Sequence, residues 1–324
     1  IETNVEMEET PDNYTFEAGR TTIVISKENG RIESYRNKNN ELLKEAGGPD
    51  PDLWRAPTDN DFGNGMPQRN INWKKVSRNH PLNEMSVEET DNGSFRVNVS
   101  WNLSATGNQF HTTYTIRGDG SVHLKNKLDA SSTEESDIPR FGMVMQLPRE
   151  FNQLTWFGKG PWENYTDRNT SSFVGLYSSD ASDQLEEYVR PQENGNKTQV
   201  RWAALTNEQG EGLLAVSNQH PENGFEMTAM PYLTADFDAQ EGFEYGPVHE
   251  EQKHITFVEE RDLVRWNIDY GQRGLAGDNS WGARPQEEYQ MKPDKDREYS
   301  FILVPINDSS QESLIRKSKQ YGSR

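Results

Sequence analysis

Strict alternation of apolar and polar residues is the feature that most narrows what this chain can fold into. Phe95, Val97, Val99, Trp101 and Leu103 alternate with Arg96, Asn98, Ser100 and Asn102. Successive side chains of a strand point to opposite faces, so a period of two sorts the first set onto one face and the second onto the other. Phe110, Thr112, Tyr114 and Ile116 repeat the pattern, and Val122, Leu124 and Leu128 follow. Between them lies Arg117-Gly118-Asp119-Gly120-Ser121, a turn of residues that tolerate positive φ. The spacing predicts a hairpin. Phe141, Met143, Met145 and Leu147 alternate, as do Val264, Trp266, Ile268 and Tyr270 against Arg265, Asn267 and Asp269. Shorter strands are expected at 22–26, 31–35, 213–217, 225–230 and 299–304.

Helical patterning is nearly absent. Residues 310–321, capped by Ser309 or Ser310, are the one helix expected. Antiparallel sheets with one polar face and no crossover helices stack as a sandwich, and this many strands make it a large one. A (β/α)₈ barrel needs strands and helices in alternation over about 250 residues, and that pattern is missing. No repeat, low-complexity tract or linker divides the chain, and the loop at 45–51 lies too near the N-terminus to bound a domain.

Composition removes several functions. Among 324 residues, 34 Lys plus Arg face 53 Asp plus Glu, a formal charge of −19. Phosphate binding needs clustered cations, so neither nucleic acid nor an anionic membrane surface is expected as a partner. No apolar run approaches the roughly 20 residues that span a bilayer. The absence of cysteine removes disulfides, thiolate metal sites and Cys nucleophiles, and leaves the compartment open. The hydrophobic fraction is only 31%, yet 8 Trp, 12 Tyr and 13 Phe separate this chain from disordered ones. Large rings, each burying about 150–250 Å², can supply the core. The N-terminus is neither basic nor apolar, so no signal peptide is expected there, and its lack of Met reads as a piece of a longer chain.

Dense polar and aromatic clusters are expected in loops, not on the alternating strands. They are Leu53 through Trp54-Arg55-Ala56-Pro57-Thr58-Asp59-Asn60-Asp61 to Gly63, Trp156 through Gly160-Pro161-Trp162-Glu163-Asn164-Tyr165-Thr166-Asp167-Arg168, Tyr188 to Gly195, and Gly277-Asp278-Asn279-Ser280-Trp281-Gly282. Each joins carboxylates and amides to an aromatic near glycine, and these are the groups a sugar needs. Its hydroxyls hydrogen-bond to Asp, Asn and Glu, and its apolar face stacks on Trp or Tyr. Taken singly, Asp and Asn beside Gly or Pro form ordinary turns, and Arg among carboxylates forms structural ion pairs. The combination points to carbohydrate. Asp59, Asn60 and Asp61 offer oxygens for Ca²⁺, but the spacing of a calcium loop is missing and a turn is expected. The six histidines form no ligand motif, and His111 and His123, on strands, are read as structural. No nucleophile elbow or phosphate loop is present.

In order and spacing, the four clusters together resemble the C-terminal domain of multidomain bacterial family 2 glycoside hydrolases, the β-galactosidases, over residues 14–305. The resemblance implies a large antiparallel supersandwich similar to galactose mutarotase, spanning 14–307. Residues 1–13 would link it to a preceding immunoglobulin-like domain, and 308–324 would be an added tail. It implies hydrolysis of terminal β-D-galactosides with retention by two glutamates, whose carboxyls sit about 5–5.5 Å apart in such enzymes. Those glutamates and the ligands of catalytic Mg²⁺ and Na⁺ belong to an upstream barrel, so no catalytic residue, metal or cofactor is expected in this chain.

One role carries over. The Trp of the Gly-Asp-Asn-Ser-Trp loop, here Trp281, would form an aromatic platform on the aglycone side of the substrate, with Asp278 and Asn279 fixing the loop. Asp59, Asn60, Glu163, Asn164, Asp167, Arg168, Glu193 and Asn194 would line or brace the neighbouring cleft. Partners would be a β-galactoside or other carbohydrate, the upstream domains of the parent and a second copy in a homo-oligomer, in the bacterial cytoplasm or periplasm. Trp162 stands where the best-known members carry His, and 236–248 is longer and more acidic than the family pattern. Two other functions compete, a free carbohydrate-binding module and a mutarotase or epimerase. The latter needs a positioned His and carboxylate, for which no motif is found.

Overall fold

The alternating segments pair as antiparallel strands. The computed structural model describes residues 4–130, 133–218, 224–238, 254–275, 277, 279 and 282–322. An N-terminal meander contains β1 (Glu6–Glu9), β2 (Asn13–Ala18), β3 (Thr21–Ser26), β4 (Ile32–Asn37) and β5 (Asn40–Glu41). Next come β6 (Asp50–Asp52) and three short helices, α1 (Asp59–Gly63), α2 (Met66–Arg69) and α3 (Ile71–Arg78). The chain then forms β7 (Leu82–Glu89), β8 (Phe95–Leu103), β9 (Asn108–Ile116), β10 (Val122–Asp129), β11 (Arg140–Leu147), β12 (Gln153–Gly160) and β13 (Phe173–Asp180). The last strands are β14 (Lys197–Val200), β15 (Trp202–Thr206), β16 (Gly212–Ser217), β17 (Phe225–Met230), β18 (Val264–Gln272) and β19 (Arg297–Ile306). Helix α4 (Thr234–Phe237) lies between β17 and β18, and α5 (Gln311–Tyr321) ends the chain.

A nine-stranded sheet, ordered β13-β12-β15-β16-β19-β10-β9-β8-β7, forms one layer. The N-terminal meander and a second five-stranded sheet, β14-β17-β18-β11-β6, pack on its inner face. The hairpin between β9 and β10 turns at Gly120, whose φ of +81° a side chain would resist. The inward residues of the alternating strands, among them Val97, Trp101, Tyr114, Leu124, Met143, Trp266 and Ile268, are buried in one continuous core. Rings run through it edge to face, from Trp101 to Phe110 (6.0 Å), Phe141 (5.5 Å) and Tyr299 (5.2 Å). This is how a chain poor in aliphatic residues fills so large a sandwich. Polar tips are met by backbone. Tyr35 Oη donates to Gly120 O at 2.7 Å, and Tyr299 Oη donates to Ile268 O at 2.8 Å. On the outer face, Trp202, Ile302, Val304 and Ile306 are covered by α5 through Leu314. The fold is the large antiparallel β-sandwich expected from the alternation.

Three expectations need correction. The region 59–78 is helical, although the tail was the one helix expected. Its helices are short, and α3 buries only Trp73, Lys74 and Val76, too few turns to print a period on the sequence. The 45–51 loop gives way to β6 at Asp50. The clusters are not all loops, since Trp156 to Gly160 lie on β12 and Asp59 to Gly63 form α1. A further finding concerns β18. Its residues Arg265, Asn267 and Asp269 point away from the core, yet all are buried. The polar face of this small sheet is roofed by the sequence clusters.

Candidate functional site

The roof is held by charge. Arg140, on β11, is fully buried and pairs with Asp52 Oδ2 (3.0 Å), Glu193 Oε1 (3.1 Å) and Asp269 Oδ2 (3.3 Å). Burial works against its charge, but Glu193, Asp269 and Asp52 together outweigh it and hold the guanidinium above its ordinary range. Burial, reinforced by Asp52, Glu226 and Glu193, pushes the Asp269 carboxyl well up, against the pull of Arg140. Asn267 Nδ2 donates to Asp52 Oδ2 at 2.8 Å, and Gln272 Nε2 to Glu193 Oε1 at 3.2 Å. Neither Asp52, Arg140 nor Asp269 lies in a sequence cluster, and all were missed as site residues.

The first cluster is a clamp. Thr58 and Asp61 form a reciprocal capping box at the start of α1, with Asp61 N to Thr58 Oγ1 at 3.2 Å and Thr58 N to Asp61 Oδ2 at 3.0 Å. The same Asp61 carboxylate takes both its oxygens to Arg55 Nη2 at 3.0 Å. Arg55 also donates to Arg273 O (2.5 Å) and Gly274 O (3.2 Å), the backbone that leaves β18 for the fourth cluster. Arg273 in turn pairs with Asp137 at 2.9 Å. A side chain at Gly274 would stand 2.5 Å from Asp167 Oδ2, and one at Gly277 would collide with the Ala283 carbonyl. The fourth cluster is therefore gripped at its base. Gly282 lies beside Gly63 at the end of α1.

The second and third clusters lock together beside it. Glu163 Oε2 accepts from Gly195 N at 2.8 Å, while its Oε1 accepts from Arg168 and from Tyr188 Oη. Asn164 N donates to Asn196 O at 2.8 Å, and Thr198 N donates to Asn164 Oδ1 at 2.9 Å. Asn194 Oδ1 accepts from Glu186 N at 3.2 Å. Gln192 Nε2 donates to Asp59 Oδ2 at 3.1 Å, tying the third cluster to the first.

The structure thus brings the first three clusters, with Gly277 and Gly282 of the fourth, into one assembly. Asn164, Glu193 and Asn194 are buried within it, and Glu163 and Asp167 are partly covered. Asp59 (side chain 62% exposed), Arg168 (49% exposed) and Asn279 reach solvent, with Asn60 partly covered. Trp281 and Asp278 lie outside the described residues. Among the described residues, no group of three or more His, Asp or Glu side chains is placed to hold a metal ion.

Glu226, on β17, adjoins this network. Asn196 Nδ2 donates to its Oε2 at 3.1 Å. Burial pushes its carboxyl up to about 8, against the pull of Asn196, Arg140 and Arg55.

Two results follow from these contacts. Arg55→Ala removes the cation that meets both oxygens of buried Asp61, leaving only Arg273 at 3.8 Å, and should cost about 3–5 kcal/mol in urea unfolding. A loss below about 1 kcal/mol, the range of exposed pairs, would contradict the clamp. Unfolded Glu titrates near about 4.3, so between that pH and about 8 the folded chain keeps a proton that the unfolded chain releases. Glu226 therefore contributes stability that is present in acid and lost as pH rises towards 8. Glu226→Gln should grow more stable relative to wild type from about pH 5 to 8, by a few kcal/mol in order of magnitude. A difference constant with pH would refute the buried neutral carboxyl.

Residues 17–303 match the family described as β-galactosidase small chain. The β-galactosidase of Priestia megaterium is 32% identical over 286 residues, covering 88% of this chain and 26% of that protein. That of Halalkalibacterium halodurans is 31% identical, covering 87% of this chain and 26% of that one. The chain spans about a quarter of the length of these curated relatives. Solved structures similar to it include a galactose 1-epimerase from Lactobacillus acidophilus, at 7% identity and a TM-score of 0.48 over 95% of this chain and 99% of that one. The family match contains all four interlocked clusters, and the chain belongs to the β-galactosidase small chain family.

Proposed function

We propose that this chain is the non-catalytic C-terminal domain of a family 2 glycoside hydrolase that cleaves terminal β-D-galactosides. In this reading, the upstream barrel supplies the two catalytic glutamates and the metals. The loop from Gly277 to Gly282 supplies Trp281 as a platform for the aglycone, and Asp278 and Asn279 set the loop's shape. The observation that carries the reading is the grip on that loop's base. A fully buried Arg55 holds the carbonyls of Arg273 and Gly274, and the capping box of α1 holds Arg55 through Asp61. A platform works only when its position is fixed before substrate arrives.

Surface features support an assembly role. Trp162 and Val189, neighbours in sequence of Glu163 and Tyr188, are 73% and 72% exposed. The outer strand β13 exposes Phe173 (75%) and Val174 (42%), whereas the opposite edge, β7, carries the exposed charges of Glu84, Glu88 and Glu89. Charged edges repel other chains and apolar ones accept them. The upstream domains of the parent are the partner this surface suits.

The test uses nitrophenyl β-galactoside. Residues 1–324 alone should show no hydrolysis, and adding the remainder of the parent chain should restore it. Enzyme-like hydrolysis by the isolated chain would sink the reading. In the intact parent, Trp281→Ala should lower kcat/KM about tenfold for a bulky aglycone, the worth of one stacking contact. If complementation holds and Trp281→Ala is silent, the platform fails while the domain assignment stands.

A further inference from the structure

A cleft of about 580 Å³ opens beside the interlocked clusters, walled by β14, β17, the end of β18 and residues 287–297. Small-molecule sites usually run to about 300–1,000 Å³. Among the described residues, its lining includes neither Gly277, Asn279 nor Gly282. Glu226 and Gln272 form its floor. Gln272 Nε2 donates to Asn196 Oδ1 at 3.3 Å, and Asn196 donates to Glu226, so the two are fixed relative to each other. Gln272 is 5% exposed, and its Oε1 has no hydrogen-bond partner. Buried acceptors are usually met, and this one lies just beneath the cleft surface. Gly271 adds no side chain to the floor, and a Cβ there would touch Glu226 Oε1 at 3.6 Å.

The walls fit the same ligand. Tyr270 and Tyr289 offer rings, and Asn169 and Gln290 offer amides. Gln199 sits at φ +55°, in the left-handed region that disfavours a side chain. Such strain gathers at binding sites. The rim carries Glu287, Glu288 and Asp294 against Lys292, Lys295 and Arg297. Lys292 is paired with Glu287, and Arg297 with Asp294 at 3.5 Å. A rim whose charges cancel attracts neither phosphate nor metal cation. At neutral pH the floor is uncharged too, since Glu226 keeps its proton and presents both a donor and an acceptor.

We propose that this cleft is a second carbohydrate site, one that takes a single neutral monosaccharide ring with its hydroxyls on Glu226 and Gln272. Binding at this site does not depend on Trp281. An uncharged ring with hydroxyls around its edge suits this neutral polar lining, and Tyr289 offers a surface for its C–H face.

The test is a titration of the 324-residue chain with D-galactose and with D-glucose, followed by saturation-transfer NMR. Saturable binding is expected with Kd of about 1–10 mM, in the range of a few hydrogen bonds and one stacking contact. Glu226→Gln keeps a neutral donor and acceptor and should hold Kd within about threefold. Gly271→Leu fills the floor, and Tyr289→Ala removes a wall at a partly exposed position that no core depends on. Each should weaken binding about tenfold or more, while Trp281→Ala leaves it unchanged. No saturation of either sugar to about 50 mM would overturn the proposal. Binding that Trp281→Ala abolishes and the two cleft variants leave intact would overturn it as well. The platform reading is tested separately, by hydrolysis in the parent.

Discussion

The site assembly depends on one guanidinium. Arg140 is fully buried, where an unpaired charge would cost on the order of several kcal/mol. It is tolerable only because Asp52, Glu193 and Asp269 arrive from three separate stretches of chain. Asp52 precedes the Arg55–Asp61 clamp, Glu193 belongs to the third cluster, and Asp269 lies on the strand that feeds the fourth. Satisfying one buried charge therefore brings three of the four clusters to the same face. Such a pairing adds little net stability compared with a well-packed apolar core, but losing one partner is severe. Its effect is to leave the loops few alternative arrangements.

A hierarchy follows from this. The aromatic core reaches the clusters at few points, through Leu53, Trp54 and Trp156. The loops in turn are fixed mainly by polar contacts among themselves and with that sheet. Arg55 pins the exit from β18, Asp61 pins Arg55, and Thr58 pins Asp61. Asn196 joins the two regions, since it bonds both to Asn164 in the second cluster and to Glu226 at the cleft. The exit from β18 and the cleft are thus neighbours on one scaffold.

Much of the fold was legible because burial on one face of a strand imposes a period of two. β8, β9, β10, β11 and β18 all announce themselves this way. What the period cannot say is whether the polar face meets water or a roof. Asp129 on β10 and Asp269 on β18 both point away from the core, yet the side chain of the first is 36% exposed and the second is sealed. Only the pairing of distant segments separates them, and that information is not local. The same limit hid Arg140, Glu226 and Gln272. The four clusters were visible as composition, and their order carried the family. Their polar residues hydrogen-bond mostly to one another, which spacing along the chain could not express. The helices at 59–78 escaped because a helix of one or two turns buries too few side chains to leave a pattern.

The proposed role is that of a domain that carries the 277–282 loop to the active site of a longer galactosidase. It is tested most directly by an experimental structure of the full-length parent with a galactoside bound. The account predicts the Trp281 indole within stacking distance of the aglycone, about 4–5 Å, with the Arg55 clamp unchanged from the substrate-free state. A 277–282 loop standing away from the substrate, or one whose base shifts to reach it, would contradict the claim.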